Sequence, residues 1–185
     1  VCRAATQFLQ LPLYRYLVDD NARILPVPLL NVMNGGVHAP NNLDIQEYLI
    51  VPAGADSFVE ALRWAAEIYQ TLKNLLSEKG LSVTVGDEGG FAPNFNSNEE
   101  PLALIMQACE KAGYEPGDDV FLSLDLAASE FFNNNCYEFK LEQKSFASAE
   151  LVEVYAKWVA KYPLISIEDG LAQDDWEGWI LFTQK

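Results

Sequence analysis

The chain has 185 residues, half of them hydrophobic and 12% aromatic, enough apolar material for one packed domain or most of a larger one and too much for a disordered tail. Twelve Lys and Arg stand against 27 Asp and Glu, a formal net charge of -15 that repels nucleic acid and anionic lipid and suits metal cations or basic partners. No apolar run reaches the roughly 18 residues of a membrane span, and Cys2, Cys109 and Cys136 form no Cys-x-x-Cys pair, so the expectation is a soluble cytoplasmic protein with reduced thiols.

The start, Val1-Cys2-Arg3-Ala4, carries neither an initiator Met nor a signal-peptide layout, which predicts a true start further upstream. Cys2 to Val18 has mixed helical spacing broken by Pro12 and predicts two short helical pieces, followed by a polar connection from Asp19 to Arg23. From Pro26 an apolar run of strand length closes at the turn signal Asn34-Gly35-Gly36, and a second strand, Gln46 to Val51, ends at Pro52-Ala53-Gly54. The clearest helix runs from Ser57 to Gly80: Ser57 caps it, Glu60 completes a capping box, and Leu62, Ala65, Ile68, Tyr69, Leu72 and Leu76 follow helical spacing.

Three further strands are predicted at Leu81 to Val85, Val120 to Leu124 and Leu164 to Ile167, with helices at Glu99 to Ala112, Ser148 to Lys161 and Asp174 to Thr183. Asn133-Asn134-Asn135 reads as a turn before Tyr137 to Leu141. Alternating strands and helices imply parallel strands joined by crossover helices, in either a doubly wound sheet or a barrel.

Three of the strands lead into carboxylates: Val85-Gly86-Asp87-Glu88, Leu124-Asp125 and Ile167-Glu168-Asp169. In a parallel barrel the C-terminal strand ends open on one face, so acids there converge on one pocket. Two carboxylates about 4 Å apart repel by roughly 4 kcal/mol at an effective dielectric near 20, so a cation belongs among them, and oxygen ligands on rigid strands suit Mg²⁺. Any single acid after a strand can equally be the N-cap of the next helix, the reading open for Asp87 and Asp169. For Asp125 that reading weakens, because Ser129 offers a separate cap. Glu88 sits between glycines, which suits a backbone passing close to a ligand. His38, the single histidine, follows Asn34-Gly35-Gly36 on a loop, and Gln46-Glu47 opens an otherwise apolar strand, a polar pair that needs partners.

In order, Leu30-Asn31-Val32-Met33-Asn34-Gly35-Gly36-Val37-His38-Ala39, Asp44-Ile45-Gln46-Glu47, Val85-Gly86-Asp87-Glu88-Gly89-Gly90-Phe91-Ala92-Pro93-Asn94, Asp125-Leu126-Ala127-Ala128-Ser129-Glu130-Phe131 and Tyr162-Pro163-Leu164-Ile165-Ser166-Ile167-Glu168-Asp169-Gly170 resemble the enolase family. The likeness runs from Leu11-Pro12-Leu13-Tyr14 to Asp174-Asp175-Trp176. The resemblance implies an α/β fold, an enolase-type TIM-like barrel that is incomplete here, with residues 1–25 the tail of a small α+β N-terminal domain and its linker, and residues 26–185 the partial barrel domain. It implies a glycolytic lyase that dehydrates 2-phosphoglycerate to phosphoenolpyruvate with Mg²⁺, as a homodimer.

By the same resemblance Glu88 is the general acid that helps the hydroxyl depart, and Glu47 is the second glutamate beside the leaving group. Asp125 and Glu168 are two of three carboxylates on the tighter Mg²⁺. His38 and Gln46 contact substrate. The family's base lysine, third metal-binding aspartate, second lysine and phosphate-gripping Ser-Arg pair match nothing in this sequence, so the expectation is an internal fragment that is inactive alone. Rival readings are another member of the same superfamily, a non-catalytic relative, and an unrelated Mg²⁺-dependent hydrolase.

Overall fold

A computed structural model describes residues 1–18 and 24–185. The polar connection 19–23, with most of the expected linker, lies outside the described residues. Helices α1 (Cys2–Leu9) and α2 (Leu13–Leu17) are the two predicted pieces. Pro12, with its ring-fixed φ of -65°, is the N-cap of α2, the helix start at which proline's missing N–H costs nothing. Neither helix buries a residue.

Strand β1 (Leu30–Asn34) and strand β2 (Glu47–Val51) are joined by the loop 35–46, which contains a short 3₁₀ turn, Gly36–His38. Helix α3 (Phe58–Glu78) follows, with the Ser57 hydroxyl accepting from the Glu60 N–H at 3.2 Å. Its C-terminus closes where Gly80, at φ 71°, lets Leu81 N–H reach back to Leu76 C=O at 2.9 Å. Helix α4 (Glu100–Ala112) starts with Pro101 in its first turn and ends at Gly113 in the left-handed region. Strand β3 (Phe121–Asp125) comes next. A small sheet then forms from β4 (Phe132–Asn133), β5 (Cys136–Phe139) and β6 (Lys144–Phe146). Asn134 and Asn135, both with positive φ, make the tight two-residue turn predicted there. Helix α5 (Ser148–Lys161), strand β7 (Leu164–Glu168) and helix α6 (Trp176–Gln184) complete the described chain.

The main sheet has the order β1-β2-β3-β7. Two sequence expectations fail here. The segment from Leu81 to Val85 is not a strand: it makes a single bridge, Val85 to Phe91, with Ser82, Thr84 and Val85 exposed or half-exposed. And the strands are not all parallel, since β1, β2 and β3 alternate in direction and only β3 and β7 run parallel. The loop 35–46 turns β2 back against β1, and the missing strand accounts for the reversal between β2 and β3. Without a strand between them, α3 and α4 form a packed helical pair that returns the chain to the end of the sheet it left, so β3 enters antiparallel to β2. The single helix α5 between β3 and β7 makes one crossover and gives a parallel pair.

One core joins these parts. From the sheet it takes Tyr48, Ile50, Leu122 and Leu124, from α3 Ile68, Leu72 and Leu76, from α4 Leu102 and Ile105, and from α5 Leu151 and Tyr155. Each such side chain contributes about 1.5–3 kcal/mol by leaving water. All three cysteines are unpaired, and burial pushes the Cys109 thiol up to about 12, so it stays an inert thiol at neutral pH. Among the described residues no helix is long and apolar enough to cross a membrane.

Candidate active site

Strand register sets the site. Asn34 faces Glu47, Glu47 faces Asp125, and Asp125 faces Glu168, a row across all four strands. Antiparallel β2 makes this work, because it brings its first residue, Glu47, to the edge where β1, β3 and β7 end. Glu47 therefore joins the strand-end acids from the opposite end of its own strand, an entry that a parallel sheet would not give.

Gln46, one residue before Glu47, donates through Nε2 to Asp125 Oδ2 at 3.4 Å. The loop carrying His38 is closed by Gly35 N–H to Gln46 C=O at 3.0 Å and Gly36 N–H to Leu43 C=O at 2.9 Å. That places His38 Nδ1 3.2 Å from Glu47 Oε1, within ion-pair range yet out of line for a hydrogen bond, so this buried nitrogen has no hydrogen-bond partner.

Glu88 rides on a tight loop against β1. Gly86 N–H donates to Gly90 C=O at 2.8 Å, Asp87 N–H to His38 C=O at 2.9 Å, and Tyr69 Oη to Gly89 C=O at 2.7 Å. Gly86 lies so close to the His38 loop that a Cβ there would sit 2.5 Å from the His38 carbonyl oxygen. The outcome is that ligating atoms of His38, Glu47 and Glu88 all lie within 4.8 Å of one another. Asp125 and Glu168 continue the row beside this cluster without belonging to it.

The electrostatics follow from the crowding. Glu47 is held above the ordinary glutamate value, first by burial and then by the Asp125 charge, with Glu88 and Glu168 adding to it and His38 opposing. Asp125 Oδ1 accepts from the Ala127 N–H at 3.0 Å in an Asx turn and does not cap the next element, whose N-cap is Ala127. Ser129 does not cap the following turn; its hydroxyl accepts from Gln173 N–H at 3.1 Å. The second oxygen of Asp125 faces Gln46 and the row. The Glu168 carboxylate makes no hydrogen bond or ion pair among the described residues, and neither Asp87 nor Asp169 caps a helix, α6 being capped by Asp175. The ion-paired cations, Arg63, Lys111, Lys161 and Lys185, sit on or at the ends of helices with other partners.

The sequence matches the family described as "Enolase, C-terminal TIM barrel domain" over residues 22–185. The chain belongs to the enolase C-terminal barrel family. It is also 57% identical over all its 185 residues to the enolase of a Nitratiruptor species, and it spans 44% of that protein's length. Within the enolase barrel family the open sheet β1-β2-β3-β7 is an arc of a barrel, which decides between the two architectures the sequence left open.

Two residues of this site were not singled out in the sequence. Asn34, read there only as part of a turn, is fully buried and bonds the Glu88 loop, and Tyr69, read as a core position of α3, uses its hydroxyl on the same loop. The available signal was an asparagine ending an apolar strand, a buried polar group that must find partners.

Proposed function

We propose that this chain forms the acid side of the active site of a Mg²⁺-dependent enolase, which dehydrates 2-phosphoglycerate to phosphoenolpyruvate and water. The observation that carries the reading is the row Glu47, Asp125 and Glu168 with His38 and Glu88 closed over Glu47, in a chain of the enolase barrel family. The donor set suits the ion: Asp125 and Glu168 offer hard carboxylate oxygens on neighbouring rigid strands, and Arg63, Lys111, Lys161 and Lys185 are paired with other acids. When bound, Mg²⁺ supplies positive charge where the substrate gains negative charge on losing the proton next to its carboxylate.

The chain's own residues serve the leaving hydroxyl. In this reading Glu88, exposed on its glycine-bounded loop, donates the proton that lets hydroxide depart as water. Glu47, which keeps its proton to higher pH than a free glutamate, assists beside it. His38 lies beside Glu47 and, with Gln46, contacts substrate. The base that takes the carbon-bound proton has no candidate among these positioned groups. The family likeness supports a homodimeric cytoplasmic enzyme, with residues 26–185 as barrel and residues 1–25 as tail and linker of a smaller domain. The packing of α1 on α2 fits that division.

The test is Glu88→Gln in the full-length protein that carries this sequence. Conversion of 2-phosphoglycerate, followed by absorbance of the product, should fall in kcat by about 100-fold or more, the contribution of a positioned general acid. Wild-type kcat in that variant would overturn the assignment.

A further inference from the structure

The Glu88 loop is narrow at its neck, where Gly86 N–H meets Gly90 C=O at 2.8 Å. The carboxamide of Asn34 is seated against that neck. Its Oδ1 accepts the Gly90 N–H at 2.8 Å, and a Cβ on either glycine would meet that oxygen, at 2.9 Å from Gly86 and 2.8 Å from Gly90. Its Nδ2 points the other way, to the Gln46 carbonyl at 3.4 Å, one residue before Glu47. The backbone of Asn34 completes the junction, with N–H donating to Phe91 C=O at 2.9 Å and C=O accepting from Asn41 Nδ2 at 2.8 Å. Through its side chain and backbone together, a residue with no exposed surface thus binds the Glu88 loop, the His38 loop and the residue that precedes β2, and it stands at the head of the row Asn34, Glu47, Asp125, Glu168.

We propose that Asn34 is a positioning residue, which sets the spacing between Glu88 and Glu47 by holding both backbones through one carboxamide. This rests on the proposed dehydration. The short bond to Gly90 fixes the loop and the longer one to Gln46 references it to the strand. A glutamine would overreach the neck, and an alanine would leave Gly90 N–H buried without an acceptor. Asn31, three residues earlier on β1, provides the contrast: its carboxamide is also buried near Gly90, yet neither of its polar atoms has a hydrogen-bond partner.

The experiment uses the full-length protein with saturating Mg²⁺ and compares Asn34→Ala, Asn34→Asp and Asn31→Ala. Asn34→Ala should lower kcat by about 100-fold, the effect of displacing a reacting group by about 1 Å, while KM for 2-phosphoglycerate stays near the wild-type value. In the same folded protein, hydrogen exchange at the Gly90 amide should speed up. Asn34→Asp keeps an acceptor for Gly90 and should retain more activity and slower exchange than Asn34→Ala, and Asn31→Ala should change neither readout. Wild-type kcat in Asn34→Ala, unchanged Gly90 exchange, or Asn34→Asp falling below Asn34→Ala on both measures would each overturn the proposal. If the wild-type protein fails to convert 2-phosphoglycerate, the dehydratase reading falls, while Gly90 exchange still decides whether Asn34 holds the loop.

Discussion

Glu47 concentrates the chemistry of single residues in this protein. Burial is the first load on its carboxylate and the Asp125 charge the second, with Glu88 and Glu168 adding smaller repulsions and His38 opposing them. The protein accommodates this by letting Glu47 keep its proton to higher pH. The consequence for stability has a definite sign. A carboxyl whose folded pKa is raised costs stability once the pH exceeds its unfolded value of 4.5, and the cost grows until the folded value is passed. Without divalent cation, Glu47→Gln should therefore raise the thermal midpoint at pH 7. The gain should shrink as the pH falls and vanish below 4.5. A midpoint difference that is flat with pH would show that Glu47 is not crowded.

At the scale of elements, the site depends on loops held in register with strands. Asp44, three residues before Glu47, is bound from three directions. Its N–H donates to Asn98 Oδ1 at 2.9 Å, its Oδ2 accepts from Asn98 Nδ2 at 2.8 Å, and its carboxylate receives the Lys140 and Leu141 N–H groups at 3.0 and 3.2 Å. Asn98 is fully buried and also accepts from the Tyr48 hydroxyl at 2.9 Å through its backbone carbonyl. This network ties the start of β2 to the loop before α4 and to the turn between β5 and β6. Asn98→Ala strands an amide and part of a carboxylate, and it should cost about 2–3 kcal/mol in urea unfolding. Asp44→Ala combined with Asn98→Ala should cost clearly less than the sum of the single changes. Additive costs would mean that the two side chains do not act as a pair.

The whole molecule carries its charge unevenly in function as well as in number. A net charge of -15 accompanies a site built from Glu47, Glu88, Asp125 and Glu168, in which the groups acting electrostatically on Glu47 are Asp125, His38, Glu88 and Glu168. A substrate bearing phosphate and carboxylate meets repulsion there. The 185-residue polypeptide by itself should show no conversion of 2-phosphoglycerate, and product formation above a Glu88→Gln control would refute that. In the full-length protein, Mg²⁺ at about 100 times its Kd should stabilise the fold by about 2.7 kcal/mol, as for any ligand bound only by the native state. Asp125→Asn should remove most of that gain, measured as the difference in melting temperature with and without chelator.

Much of this was legible in the sequence because it depends on neighbours along the chain. Helix α3 with its Ser57 cap, the break at Pro12, the Asn134-Asn135 turn and the acids that end β3 and β7 all follow from local spacing and backbone preference. The family likeness also rests on contiguous motifs. The direction of β2 relative to β3 was not legible, because it is set by how many crossovers separate the two strands, and that depended on whether Leu81 to Val85 found a partner strand. The same is true of Asn34: an asparagine at a strand end reads as a turn until the fold brings Gly90 and Gln46 to its two ends. Sequence alone supplied the acidic groups of the site. Only the tertiary structure decided that Glu47 meets Asp125 and Glu168 from the far end of an antiparallel strand, since pairing across chain segments tens of residues apart is fixed by packing and strand register.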